Sequence, residues 1–587
     1  MNIRTAILAL GLASGILASA QGLHKEINVE QEIVPVKRDA SRINILPTLR
    51  LPAVSRPQLA FSDRVVTTRV PNAISTLAPM AYGNRLYESP YRGYVVLGLG
   101  APLFDATFSA GYRAIDSEKT RLSIWSQYNG DVYRDKVTDL VGGPKTEYTD
   151  YWRDHSASLG ADLHQSVGLN TAVDGKVDYT YAYHTAPVGF MTYSQNISRA
   201  NASVLLSSTG EGINYCAGIR YGHFGFYHFD FPQGYSYRLD GYPEKGARQN
   251  LFGAEGSVSL PVGETSRAAI DINADFLRTG NHLIPLYPYR NYDKIAEAGA
   301  GTSGLISVTP HFDFGSQSVS GRLGLQADIT TGGGKTLHIA PEVSLAWTPS
   351  QLFGFEVKAH GGSRLNSLAE LYDVSPYLNS FMAYSPSHIP YAIDGRISVG
   401  PFFGAYLEVF GGYAKANDWL MPVGTNIYPG EGVYDCLDLS AWHVGAAIGY
   451  DYRNLFSARL SYETAPNDYD KSYYEWRDRA KHVVNAELKL RPVKPLLVTL
   501  GWEFRAGRRA YHLFETSVGD GAIGPVYTPS AESLGCISDL SLGAGYEATD
   551  ALTIFVSGQN LLNRRATLIG FRPQQGTTAM IGASLKF

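Results

Sequence analysis

Thr578-Ala579-Met580-Ile581-Gly582-Ala583-Ser584-Leu585-Lys586-Phe587 closes the chain. From Ala579 onward the odd positions are apolar, while Met580, Gly582, Ser584 and Lys586 are mostly small or polar. A period of two sends these two sets to opposite faces of a strand. About ten such residues are enough for a tilted strand to cross a bilayer. The alternation suits a wall with lipid on one side and a polar interior on the other.

The same period recurs upstream. Leu496, Val498, Leu500, Trp502 and Phe504 share one face, against Leu497, Thr499, Gly501, Glu503 and Arg505. Ala268, Ile270, Ile272, Ala274 and Phe276 oppose Asp271, Asn273 and Asp275. Phe456, Ala458, Leu460 and Tyr462 oppose Ser457, Arg459, Ser461 and Glu463. From Phe403 to Tyr413, Leu407 and Val409 oppose Tyr406, Glu408 and Phe410. One such strand fits a soluble sandwich equally well, but many of them without compensating helices fit a barrel better.

The amino terminus sets the compartment. Arg4, an apolar stretch from Ala6 to Leu17 and then Ala18-Ser19-Ala20 read as a secretory signal with an A-x-A cleavage site. No later stretch is long and apolar enough for a membrane helix. A membrane protein without such helices has to be a closed barrel, because only closure pairs every backbone group within lipid. With 61 Gly, 39 Tyr and 18% charged residues, composition accords with barrel bends and interfacial girdles. The net charge of -4 argues against a nucleic-acid partner. Cys216, Cys436 and Cys536 are too sparse for a disulfide framework and lack metal-ligand spacing.

Short and long connections alternate. Pro261-Val262-Gly263-Glu264, Thr348-Pro349-Ser350, Tyr452-Arg453-Asn454 and Glu547-Ala548-Thr549-Asp550 read as tight turns. Long connections cover roughly 131–154, 229–248, 277–303, 366–393, 415–438 and 507–532. Short inner turns opposite long extracellular loops are the outer-membrane pattern. The fold expected is all-β, a transmembrane antiparallel barrel of about 22 strands with both termini at the short-turn end. The domains expected are a signal peptide over 1–20, an extended Pro-rich segment over 21–91 that is either periplasmic or lumen-inserted, and a barrel over 92–587. The Pro-rich segment carries Lys37, Arg38, Arg42, Arg50, Arg56, Arg64 and Arg69, which would meet lumen carboxylates on insertion.

Several stretches resemble known outer-membrane barrels. The terminal Phe587 on its alternating strand resembles the sorting signal read during outer-membrane insertion. Arg364-Leu365-Asn366-Ser367-Leu368-Ala369-Glu370-Leu371-Tyr372 resembles the "ELY" stretch of TonB-dependent receptors as it enters an outer loop. Val556-Ser557-Gly558-Gln559-Asn560-Leu561-Leu562-Asn563-Arg564, with Gly570-Phe571-Arg572-Pro573 after it, is similar to that family's last outer turn. The resemblance covers the barrel and not the globular plug of roughly 150 residues that such receptors carry ahead of it. The chain is thus expected to be receptor-like and plugless, in the cell outer membrane. Its role is read as solute passage or ligand binding at the cell surface, with a structural or scaffold subunit of a biogenesis or secretion complex as the alternative.

Candidate sites follow from position on the strands. Glu408, Arg459, Glu463, Glu487, Glu503 and Arg505 occupy polar faces and are candidate lumen lining. Tyr227, Tyr235, Tyr289, Trp419, Tyr474 and Trp476 fall in or near long loops, where aromatic rings with acidic neighbours suit sugar stacking or a protein anchor. The plainer reading makes them girdle and loop packing. Thr331-Gly332-Gly333-Gly334-Lys335-Thr336 looks like a P-loop tail but lacks the first Gly and the strand-loop-helix context, so it reads as a hairpin turn. No catalytic, cofactor or metal constellation stands out, and the chain is not read as an enzyme. The partners expected are outer-membrane lipid (lipopolysaccharide and phospholipid), the barrel assembly machinery during insertion and an envelope protein.

Overall fold

The structure is a computed structural model. It describes residues 91–587 apart from 139–146, 169, 189–190, 211, 230–246, 281–300, 334, 375–383, 426–432, 454, 466–479, 517–525, 567 and 569–572. The signal peptide and nearly all of the Pro-rich segment expected from sequence lie outside the described residues.

The first strands in chain order are β1 (Gly93–Ala101), β2 (Phe104–Asp116), β3 (Thr120–Thr138), β4 (Glu147–Ser166), β5 (Thr171–Val188) and β6 (Met191–Ser208). Next come β7 (Asn214–Phe229), β8 (Arg248–Pro261), β9 (Ser266–Gly280), β10 (Thr302–Gly315), β11 (Val319–Thr331) and β12 (Leu337–Ser350). β13 (Phe353–Arg364) leads into one short helix, α1 (Leu368–Val374). Then follow β14 (Ser387–Phe402), β15 (Ala405–Thr425), β16 (Val433–Tyr452), β17 (Phe456–Thr464), β18 (His482–Val493) and β19 (Leu496–Ala506). The last are β20 (Arg508–Thr516), β21 (Val526–Leu534), β22 (Ile537–Glu547), β23 (Leu552–Gln559) and β24 (Thr578–Lys586).

Each strand from β1 to β19 pairs antiparallel with the next, β19 then pairs with β22, and β24 returns to β1. Among the described residues there are 24 strands, of which β20 and β21 form a hairpin outside this ring, leaving 22 in the wall. The wall is a closed antiparallel barrel, as the alternation required. Arg508, at the root of the extra hairpin, is wholly buried and donates from Nη1 to the Gly535 carbonyl at 2.9 Å. Loss of water lowers its pKa to about 10.

One face of the wall is apolar and open to the surroundings. Leu97, Leu99, Leu159, Ile219, Phe252, Leu325, Ile339, Ile448 and Ile581 are all exposed on it. A continuous band of such side chains is the lipid-facing surface of a membrane barrel. The opposite face encloses the interior and carries most of the charge.

The strand ends lie further out than sequence suggested. β3, β4, β15 and β16 run to 19, 20, 21 and 20 residues, about twice what the bilayer needs. Parts of the long connections expected over 131–154, 415–438 and 507–532 are therefore strand. The Thr331-to-Thr336 stretch is the β11–β12 hairpin turn, with Gly332 and Gly333 at φ 96° and 120°.

The closing seam is built from small residues. Gly98 faces Gly582 across β1–β24, and Phe555 of β23 faces Gly582 from the other side. A Cβ on Gly582 would collide with the Phe555 ring and the Leu97 carbonyl. The main chain of Phe587 completes the seam, accepting from Arg92 N and Gly93 N at 2.8 Å and donating to Gly93 O at 3.0 Å. Its ring stacks on Tyr112 at 6.3 Å. Gly582→Val should therefore strongly reduce the fraction of barrel that keeps its compact mobility in unheated gels. Gly175→Ala, where the nearest atom is 3.8 Å from a new Cβ, should leave that fraction unchanged.

Candidate functional site: the mouth and the polar face

The ELY stretch seen in the sequence becomes α1. Ser367 starts it as an N-cap, its Oγ accepting from Glu370 N at 3.2 Å, and its carbonyl takes the first helical bond from Leu371 N at 3.1 Å. Seven residues are too few for a helix to persist alone. Tertiary contacts hold it. Leu368, Leu371 and Tyr372 are 1%, 3% and 7% exposed and pack with Ala182, Ile197, Phe224 and Phe226. Those four residues belong to β5, β6 and β7, so the helix folds into the barrel mouth and rests on the inner wall.

Polar groups from the wall fix its position. Gln249 Oε1 accepts from Leu368 N at 2.7 Å, and Gln249 Nε2 donates to Thr279 Oγ1 at 2.8 Å. Arg199 reaches Asp373 at 3.0 Å. His184 bonds Tyr372 through Nε2, and its Nδ1 lies 2.8 Å from Asp154. The Tyr372 ring also packs 5.4 Å from Phe224. Leu365, just ahead of α1, buries against Leu277 and Leu305 of β9 and β10. This inward dock was missed in the sequence, where no amphipathic period marks so short a helix.

The described residues at the two ends of a second outer connection, 560–577, also reach the inner wall. Asn560, at φ 44°, donates from Nδ2 to the carbonyls of Arg564 and Gln575 at 2.7 Å each and accepts from Arg564 N at 3.0 Å. That geometry accounts for Asn at 560, and Asn563 Oδ1 accepts from Thr577 N at 3.3 Å. Gln575 Nε2 reaches Asp131 of β3 at 2.9 Å, and Tyr133 OH donates to the Pro573 carbonyl. Tyr133 and Trp152 stack 6.1 Å apart beneath it.

The six polar-face residues chosen from sequence lie on β15, β17, β18 and β19, in rows set by register. Arg459 reaches Glu408 at 2.7 Å, and Arg505 pairs with Glu503. Lys489 lies 3.9 Å from Glu487, both widely exposed. Glu463 meets His443 at 3.6 Å, and His443 also faces Asp394 at 3.5 Å. His443, Asp394 and His360 went unnoticed in the sequence because only register brings them together. Across the barrel Arg220 is shared by Asp275 and Glu255, and Arg322 by Asp313 and Glu342. Apart from the buried Arg505–Glu503 pair, these partly exposed pairs contribute at most about 1 kcal/mol each. Each arginine offsets a neighbouring carboxylate, and where one is shared by two acids a negative charge is left over. Glu408 and Glu503 have arginine partners, and Glu463 faces His443.

Among the loop aromatics only Trp419 has a described side chain, and the Arg364 guanidinium lies 5.0 Å from its ring centre. Tyr235, Tyr289, Tyr474 and Trp476, and the side chain of Tyr227, lie outside the described residues. On the outer half of β7, His223 Nδ1 lies 2.8 Å from Asn250 Oδ1. Among the described residues no group of three or more His, Cys, Asp or Glu is placed to hold a metal ion.

No known family profile matches the chain, and no curated protein matches it in sequence. Solved structures do match in fold. A mutant of the ferric enterobactin receptor PfeA from Pseudomonas aeruginosa superposes with a TM-score of 0.61 at 10% identity, covering 84% of this chain and 80% of that one. The siderophore receptor PirA from Acinetobacter baumannii gives 0.60 at 11%, again over 84% and 80%. The FrpB iron transporter from Neisseria meningitidis gives 0.61 at 12%, over 86% and 82%. At these identities the likeness is one of fold: the barrel has the architecture of outer-membrane receptors.

Proposed function

We propose that this chain binds and admits a solute at the outer surface of the outer membrane, with the inward-folded loop bearing α1 as the constriction of its mouth. The observation that carries this reading is the docking of α1 on four neighbouring wall strands through His184, Arg199, Gln249 and the Phe224–Phe226 pair. A loop held inside an opening narrows it and is placed to answer what enters. In this reading the chain's own loops, and no globular plug, set the width of the mouth. Glu408, Arg459, Glu463, Glu487, Glu503 and Arg505 line the path below, and Trp419 stands beside it with Arg364 on its ring. The fold neighbours are described as handling ferric siderophores and iron, so an iron chelate is the first solute class to offer. The terminal Phe587 serves recognition by the barrel assembly machinery.

The constriction is testable through Leu368. Its burial is worth about 2 kcal/mol, and a carboxylate in its place adds a desolvation penalty. Leu368→Asp should therefore populate an undocked loop at least about 30-fold more often. In planar bilayers the variant should conduct severalfold more than wild type, and chymotrypsin should cleave beside Tyr372 sooner. Identical conductance of a well-inserted variant would remove α1 from the role. A chain that never conducts or binds, and copurifies in fixed ratio with envelope proteins, would favour the scaffold reading.

Lining is testable by thiol labelling. With Cys216, Cys436 and Cys536 replaced by Ser, Glu487→Cys should react with a small membrane-impermeant maleimide in intact membranes. Leu500→Cys, on the apolar face and 37% exposed, should not. Equal labelling at both positions would sink the lining assignment.

A further inference from the structure

The outward face of β3, β4 and β5 changes character toward the long-loop end. Within the apolar band stand Leu159 and Val177, 59% and 54% exposed. Above them His155 gathers Phe104, Tyr128 and Tyr183, with ring centres 6.1, 6.3 and 6.2 Å away. Outward-facing rings at one level are what marks the membrane interface. Two residues further along β4, about 7 Å by strand rise, comes Arg153, and two beyond it Tyr151. The β3–β4 register sets Arg153 opposite Val132 and Tyr151 opposite Arg134. Arg134 and Arg153 are thus diagonal neighbours on one face, and the Arg134 guanidinium lies 5.9 Å from the centre of the Tyr151 ring.

Both arginines are exposed. Among the described residues neither has a carboxylate partner. Outward positions of β4 from Thr149 to Leu163 carry none: Thr149, Tyr151, Arg153, His155, Ala157, Leu159, Ala161 and Leu163. Two cations side by side repel unless an anion lies between them. On the interior wall, by contrast, Arg220, Arg322 and Arg459 each have a neighbouring acid. Guanidinium forks match phosphate oxygens two at a time, and the height just above the ring girdle is that of lipid headgroups.

We propose that Arg134 and Arg153, with Tyr151 between them, form a binding site for the phosphate of a phosphorylated lipid in the leaflet at the long-loop end, its chains lying along Leu159, Val177 and Tyr179. A soluble phosphate would gain nothing from the apolar strip beneath, and the continuity of strip, rings and arginines selects the lipid.

The test uses the full chain in phosphatidylcholine nanodiscs doped with diphosphoryl lipid A or with its dephosphorylated form. Native mass spectrometry then counts the lipid retained on the barrel. Each arginine near an anionic surface should account for about fivefold in retention, and R134A/R153A together for about 25-fold. R134K/R153K should recover part of the loss, because charge remains without the planar fork. Unheated gel mobility confirms that each variant is folded. Equal retention by wild type and R134A/R153A would overturn the site. So would equal retention of the dephosphorylated lipid, which would leave only chain packing, or no retention by wild type at all.

Discussion

Hydrocarbon offers no hydrogen bonds, and every part of this structure answers to that. An unpaired N–H or C=O in lipid is costly enough that a sheet entering a bilayer has to close on itself. Closure is one ladder, β1 on β24, with the final residue supplying its last main-chain bonds. Everything upstream then becomes a matter of register. Once β24 is placed, the period of two decides for each side chain whether it meets lipid or the interior. A slip of one residue would put Lys586 into hydrocarbon and Ile581 into the interior. The glycine pair at the seam lets the two ends of the chain approach beneath the Phe555 ring.

Register also explains the chemistry of the wall. Arg459 and Glu408 are 51 residues apart in sequence and 2.7 Å apart in space, because two hairpins separate their strands. The loop contacts at the mouth follow the same logic. His184, Arg199, Phe224 and Gln249 come from four strands, and the ring arrangement alone gives them a common surface for α1. Rigid wall positions thus hold a segment whose own helical tendency is slight.

The fold was largely legible in the sequence. Runs such as Leu496 to Arg505 alternate so strictly that only a two-faced strand accommodates them, and the spacing of tight turns sufficed for the strand number. Legibility ended where lipid ends. Beyond the apolar band the outward face turns polar, as in Tyr148 to Asp154, and the alternation that marks a strand vanishes although the ladder continues. The overhangs and the β20–β21 hairpin were hidden for that reason. The polar-face residues were legible singly, since face follows from parity, but their partners were not. His443 shares two carboxylates only because β14, β16 and β17 bring them level. The direction in which α1 folds depends on Leu368 and Leu371 finding Phe224 and Phe226, a contact no local pattern records.

The pairing of acid with base along the interior has an electrical meaning. A lining of one sign would raise a long-ranged field and draw in or turn away ions according to charge. Adjacent opposite charges form small dipoles instead, whose fields fade within a few ångströms and are cut further by salt. Such a surface carries a fine-grained, alternating potential, with a negative remainder where Arg220 and Arg322 are each shared by two acids. The field of the interior is thereby broken into short-ranged patches, and what any one patch presents depends on the few side chains that register sets level there.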